Sequence, residues 1–172
     1  FELDHHNVFF ESNYSSEFNT IFKDRGVPEK PTVYLCAQDR GPNGSLNGSE
    51  RLLMLVNAPA DGDRQTWSED DVMRTRDNAL AVLARCGLNL SFKDNDCVST
   101  TPTDWHGRFP GSGGSLYGGA SHGIWSSFRR PGAKSKLKGL YLSGGSVHPG
   151  PGVPMATLSG RLAARAVIHD IA

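Results

Sequence analysis

Apolar positions in this chain fall first into short runs and later into a helical period. His6 to Phe10 (His-Asn-Val-Phe-Phe), Thr32 to Ala37 (Thr-Val-Tyr-Leu-Cys-Ala) and Arg51 to Asn57 (Arg-Leu-Leu-Met-Leu-Val-Asn) are rich in β-branched and other apolar residues. They predict strands over 6–10, 32–37 and 51–57, the last apolar enough to be central. Ser15 or Ser16 is placed to cap a short helix burying Phe18, Ile21 and Phe22, with Gly26 and Pro28 as its stop. The spacing of Val72, Met73, Ala79, Leu80, Leu83 and Cys86 predicts a helix over 69–86, closed by Gly87. Ser68 is its cap, and Trp67 with Val72 can form a hydrophobic staple; Asp71 stands where Glu would complete a capping box, so the sequence predicts half a box. Leu88 to Phe92 and Cys97 to Thr101 read as extended, the latter as a strand over 97–101.

From Pro102 to Pro131 the periodicity fades. Gly111, Gly113, Gly114, Gly118, Gly119 and Gly123 are interleaved with Trp105, Phe109, Tyr117, Trp125 and Phe128. Glycine among aromatics suits a backbone folded around a flat or apolar ligand, and a functionless ordered loop of this length is uncommon. Beyond it, Leu140-Tyr141-Leu142 predicts a buried strand over 140–143 that stops at Gly144-Gly145. Pro154 then opens a helix over 155–170, with Met155, Leu158, Leu162, Ala163, Ala166, Val167 and Ile171 on one face. The free amides and positive dipole end of such a helix favour an anionic or electron-rich group in the turn before it. Ala156, Gly160 and Ala164 are small enough for a second backbone or a flat molecule to lie close. On pattern alone, a tight connection at a sheet edge is an equal account.

Composition narrows the function classes. Eighteen basic residues balance eighteen acidic ones, without the basic excess of a nucleic-acid binder. No apolar run approaches the ~18 residues of a membrane span. Cys36, Cys86 and Cys97 are widely spaced, contain no Cys-x-x-Cys, and read as buried thiols in a reducing compartment. No metal site is expected: His5 and His6 would point to opposite faces of a strand, His106, His122 and His148 are isolated, and His169 lies near a helix end. Gly119-Ala120-Ser121-His122-Gly123 matches the nucleophile elbow of hydrolases, yet the only acid after Ser121 is Asp170 and no histidine follows it. Asp61 and Asp63 read as a solvated loop. Arg129, Arg130, Lys134, Lys136 and Lys138 read the same way, with a lipid headgroup or a cofactor phosphate as the functional alternative.

The segment 140–164 carries a stronger signal. Its core His148-Pro149-Gly150-x-Gly152-x-Pro154 and its continuation Met155-Ala156-x-Leu158-Ser159-Gly160-Arg161-Leu162-Ala163-Ala164 resemble the C-terminal flavin-contacting segment of bacterial carotenoid desaturases, relatives of the flavin amine oxidases. The resemblance is to the branch acting on hydroxy- or methoxyneurosporene. It extends through His5-His6-Asn7-Val8-Phe9-Phe10, Pro31-Thr32-Val33-Tyr34, Leu55-Val56-Asn57-Ala58-Pro59, Thr101-Pro102 and Gly114-Ser115-Leu116-Tyr117-Gly118, in one consistent order.

That resemblance implies an α+β piece of an FAD-binding flavoprotein. Residues 1–136 would form a substrate-side region, with a mixed, largely antiparallel sheet and packed helices. Residues 137–172 would be the C-terminal strand, turn and helix of the FAD domain, their inner faces left exposed unless they pack on the rest of the chain or on a second copy. It implies FAD contacts at Gly144, Gly145, Gly152, Val153, Pro154 and Met155, with Tyr117, His122 and His148 as substrate-side candidates. The wider flavin family often carries an acid after the first glycine; here that place is Gly145, so a contact there would come from backbone. The implied chemistry is hydride removal from an acyclic carotenoid to flavin, in the bacterial cytoplasm with peripheral contact at the inner membrane. No Gly-x-Gly-x-x-Gly follows a strand in this chain, and it opens at Phe1, as a piece of a longer protein would. The 172 residues alone are therefore expected to hold FAD weakly or not at all and to be inactive. The alternatives are an α+β domain binding an apolar ligand or a partner without redox chemistry, and a related isomerase or retinoid saturase.

Overall fold

The computed structural model describes residues 2–40, 48–117 and 130–172. They fall into two compact units, Phe1–Asp104 and Trp105–Ala172. The first is built on β1 (His6–Phe9), β2 (Val33–Ala37) and β3 (Leu52–Val56), with α1 (Tyr14–Asn19) between β1 and β2 and α2 (Glu69–Arg85) after β3. The sheet order is β1-β2-β3 and both pairings are antiparallel, with His6 opposite Cys36 and Val33 opposite Val56. The expected mixed character is absent among the described residues.

Alternation places Phe9, Val33, Leu35 and Ala37 on one face, where they are buried with Ala79, Val82 and Leu83 of α2 and with Leu3 and Leu88. Leu35 and Leu83 are fully enclosed, so truncating either to Ala would cost about 2–5 kcal/mol. The expectation for β3 needs correction. It is an edge strand, and β2 is the centre. The hydrophobicity of β3 reflects two partly covered faces, Leu52, Met54 and Val56 at the core margin and Leu53 and Leu55 each 42% exposed.

α2 begins as its cap predicts, and more completely. Ser68 Oγ accepts the Asp71 amide at 3.2 Å while Asp71 Oδ2 accepts the Ser68 amide at 3.0 Å, so aspartate closes the box. Donation from the Ser68 amide, then from its hydroxyl, holds the Asp71 carboxyl below its ordinary range. The buried stripe is Thr75, Ala79, Val82 and Leu83; Met73 and Cys86 face solvent, one position off the predicted face. α1 differs similarly. Glu17 is buried in α1, and Ile21 in the single π-type turn Thr20–Asp24 that continues it. Phe18 and Phe22 are exposed instead. With Phe10 and Tyr14 they form a row of ring contacts, centroids 4.8–5.9 Å apart.

Two further expectations fail for lack of partners. Residues 91–100 are exposed throughout, Val98 to 95%, and 97–101 is no strand. Pairing at 140–143 is a single bridge, Lys134 to Tyr141. Asp61 is buried rather than solvated, with Arg25 Nε 3.8 Å from its Oδ2. The patternless region opens with α3 (Pro102–Arg108). Thr101 and Asp104 cap it reciprocally, the Thr101 amide reaching Asp104 Oδ2 at 2.8 Å and the Asp104 amide reaching Thr101 Oγ1 at 3.2 Å. Gly62 lies against its first residue so closely that a Cβ there would meet the Pro102 carbonyl oxygen at 2.2 Å. The second unit carries α4 (Val153–Ile171), beginning two residues earlier than the spacing predicts.

Candidate functional site

The site assembles from the turn 143–152 and the helix it feeds. Gly144, Gly150 and Gly152 all have positive φ, at 118°, 135° and 99°, conformations that strain any residue with a Cβ. Gly152 is the N-cap of α4 and, having no side chain, caps nothing. The first bond into the helix is from Ala156 N–H to the Gly152 carbonyl at 2.8 Å. That leaves the amides of Val153 and Met155 as intrahelically unpaired donors, Pro154 having none. Val153 is 82% exposed and Met155 42%. Around Gly144, Gly152 and Gly160 a Cβ would find no atom within 4 Å. Positive backbone dipole and open space thus meet at one helix end, where an electron-rich, flat group is favoured.

Side chains tie down this turn and its helix at points not visible as a motif. Ser159, fully buried in α4, accepts the Gly144 amide at 3.2 Å. Arg130 donates to the Gly145 carbonyl and to the Tyr117 carbonyl, both at 3.0 Å, and its guanidinium lies against Gly150, 3.6 Å from where a Cβ would stand. At the far end of the helix, Asp170 accepts from Lys134 Nζ at 2.5 Å and from Tyr141 Oη at 2.8 Å. Lys134, then His169 and Tyr141, hold the Asp170 carboxyl far below its usual range, and the same bond pushes the Tyr141 phenol up. Lys134 also places a cationic group at the negative end of the helix. Arg130 and Lys134 are therefore structural ties and not a solvated basic run.

The residues singled out by sequence sort unequally. Gly144, Gly145, Gly152, Val153, Pro154 and Met155 lie together in the turn and first helical turn. Gly145 offers its carbonyl to Arg130, and its own Cβ position is 3.5 Å from Pro151 Cα. Tyr117 joins through its carbonyl alone among the bonds above, its side chain being exposed. His148 is exposed; its backbone N–H reaches the Pro131 carbonyl at 2.9 Å. His122, with the elbow-like run 119–123, lies outside the described residues. His5 and His6 do not point apart, because the strand begins only at His6 and His5 sits on the bend before it. Their rings meet edge to face at 4.4 Å. Cys36 is buried, but Cys86 and Cys97 are exposed.

Residues 7–168 match the model of the flavin containing amine oxidoreductases. The chain belongs to that family. Among relatives, hydroxyneurosporene desaturase of Rubrivivax gelatinosus is 50% identical over 99% of this chain, and that of Rhodobacter capsulatus is 44% identical over 98%. A 1-hydroxycarotenoid 3,4-desaturase of a Flavobacterium species is 35% identical over 95%. The chain spans about a third of the length of each of these curated relatives. This flavin amine oxidoreductase segment carries no glycine fingerprint for a dinucleotide diphosphate.

Proposed function

We propose that this chain is the C-terminal part of an FAD-dependent desaturase acting on an acyclic carotenoid of the hydroxy- or methoxyneurosporene type. The observation that carries the proposal is the α4 N-terminus, uncapped and open behind two positive-φ glycines. Its support comes from the near-complete coverage of this chain by relatives named for that reaction. FAD supplies the hydride acceptor when bound. The chain's own part is binding and electrostatics. The Val153 and Met155 amides would hold the electron-rich edge of the ring, and the helix dipole would favour the negative charge that reduction brings. Gly144 and Gly145 would hold the ribityl or diphosphate portion, through backbone alone. Arg130 and Ser159 fix the turn so that these donors are set before the ligand arrives. Tyr117 and His148 remain candidates on the substrate side.

Acyclic carotenoids partition into lipid, and no helix of the described residues is long and apolar enough to cross a membrane. Peripheral contact from the bacterial cytoplasm is the localisation this substrate asks for, and the exposed row Phe10, Tyr14, Phe18 and Phe22 is a face suited to it. The test is an assay of the full-length protein, reconstituted with FAD, on hydroxyneurosporene in vesicles. The expected result is a red shift of the polyene absorption with loss of two hydrogens by mass. Isomerisation without mass change, or saturation, would place the protein in a neighbouring class and overturn the proposal.

A further inference from the structure

A second group of distinctive side chains lies in the first unit, independent of the flavin proposal. His6 and Cys36 are direct cross-strand partners, so both project from one face of the sheet. His5, on the bend before β1, is tied by its carbonyl to the Ala37 amide at 2.9 Å. Cys36 Sγ is 3.6 Å from His5 Nε2. One nitrogen of each ring and the Cys36 sulfur all fall within 4.8 Å of one another. Cys36 is buried beneath two exposed imidazoles, which leaves the group reachable from solvent.

The hydrogen bonds behind the rings determine what they offer. His5 Nδ1 is 2.7 Å from the Arg40 carbonyl oxygen. A carbonyl only accepts, so Nδ1 carries the proton and Nε2 presents its lone pair towards Cys36. Arg40 is itself fixed, donating to Glu50 at 2.7 Å and to the Leu3 carbonyl at 2.7 Å. His6 Nδ1 is 2.8 Å from Tyr34 Oη, a hydroxyl able to accept that proton and leave Nε2 free. Outer bonds of this kind orient histidines in metal sites. A tetrahedral zinc with ligands at about 2.0 Å (N) and 2.3 Å (S) separates those donors by roughly 3.5 Å, and the His5–Cys36 distance of 3.6 Å is such an edge.

We propose that His5, His6 and Cys36 form a site for a borderline-soft divalent cation of the zinc type, with solvent completing the coordination. Two imidazoles and a thiol do not suit magnesium or calcium, which take oxygen ligands. Binding exchanges the Cys36 S–H bond for a sulfur–metal bond, and the proton leaves to solvent.

Cobalt(II) titration of the full 172-residue chain carrying Cys86→Ser and Cys97→Ser, which leaves Cys36 as the sole thiol, tests this. The expected result is a thiolate-to-cobalt charge-transfer band in the near ultraviolet, saturating at about one cobalt per chain and displaced by zinc. The band should vanish in Cys36→Ser and require at least about tenfold more cobalt in His5→Ala and in His6→Ala. Those two replace exposed side chains, so they keep the test valid if Cys36→Ser disturbs the strand. Absence of the band, its persistence without Cys36, or unchanged affinity in both histidine variants would mean a Cys–His hydrogen bond only, and would overturn the site.

Discussion

Ser159 is fully enclosed, and its hydroxyl oxygen accepts the Gly144 amide. Ser159→Ala should therefore cost about 1–2 kcal/mol in denaturant unfolding, the price of a half-buried amide left unmatched. Asp170 makes a pH prediction. Its carboxyl is held low by Lys134, His169 and Tyr141. A depressed folded value means its contribution is complete above the ordinary unfolded value of about 3.9 and is lost as pH falls from there through the folded value. Thermal melts of wild type and Asp170→Asn should differ at pH 7 and converge as the pH drops below that range. A gap that widens on acidification would contradict the assignment. Neither residue could be read from the sequence. A serine in an apolar helical stripe names no partner, and Asp170 is joined to Lys134 across thirty-six positions.

Elements were legible where pattern and punctuation coincide. α2 and α4 each have a period of three to four and a cap or proline at the start, and both lie within two residues of prediction. α3 was missed although Thr101-Pro102-Thr103-Asp104 holds a capping pair and a proline at the first position, because the glycines after it masked a seven-residue helix. β3 was misplaced because hydrophobicity measures burial and says nothing of neighbours. The histidine pair was misjudged by applying strand alternation to a residue one position outside the strand. Two predictions belong at this scale. Gly62→Ala should destabilise by about 1–3 kcal/mol or more, since its Cβ would meet Pro102 backbone, which cannot swing aside. In the full-length protein, Val153→Pro should remove one amide donor while keeping the first helical turn. Flavin affinity should then fall about tenfold, the worth of about 1.4 kcal/mol, with the melting temperature unchanged.

At the scale of the molecule, the first unit closes a small core while the second leaves apolar surface open. Val153, Leu158, Ile168 and Ile171 of α4 are between 40% and 82% exposed. A helix with that much uncovered apolar surface, small residues along it and unpaired donors at its start is built to meet something else. In a chain spanning a third of its relatives' length, the partner we propose is the FAD and the dinucleotide-binding portion of the full-length protein. The family was legible because its motifs run in order along the chain. The ties that give the turn its shape were not, because they join distant positions.

The central claim is that this turn and helix supply one half of a flavin site. It is tested most directly by the flavin-to-protein ratio, read from visible absorption after purification. The account predicts about one flavin per full-length protein and essentially none on the 172-residue chain alone. Stoichiometric flavin on the isolated chain, or a flavin-free full-length protein that still desaturates its carotenoid, would contradict it.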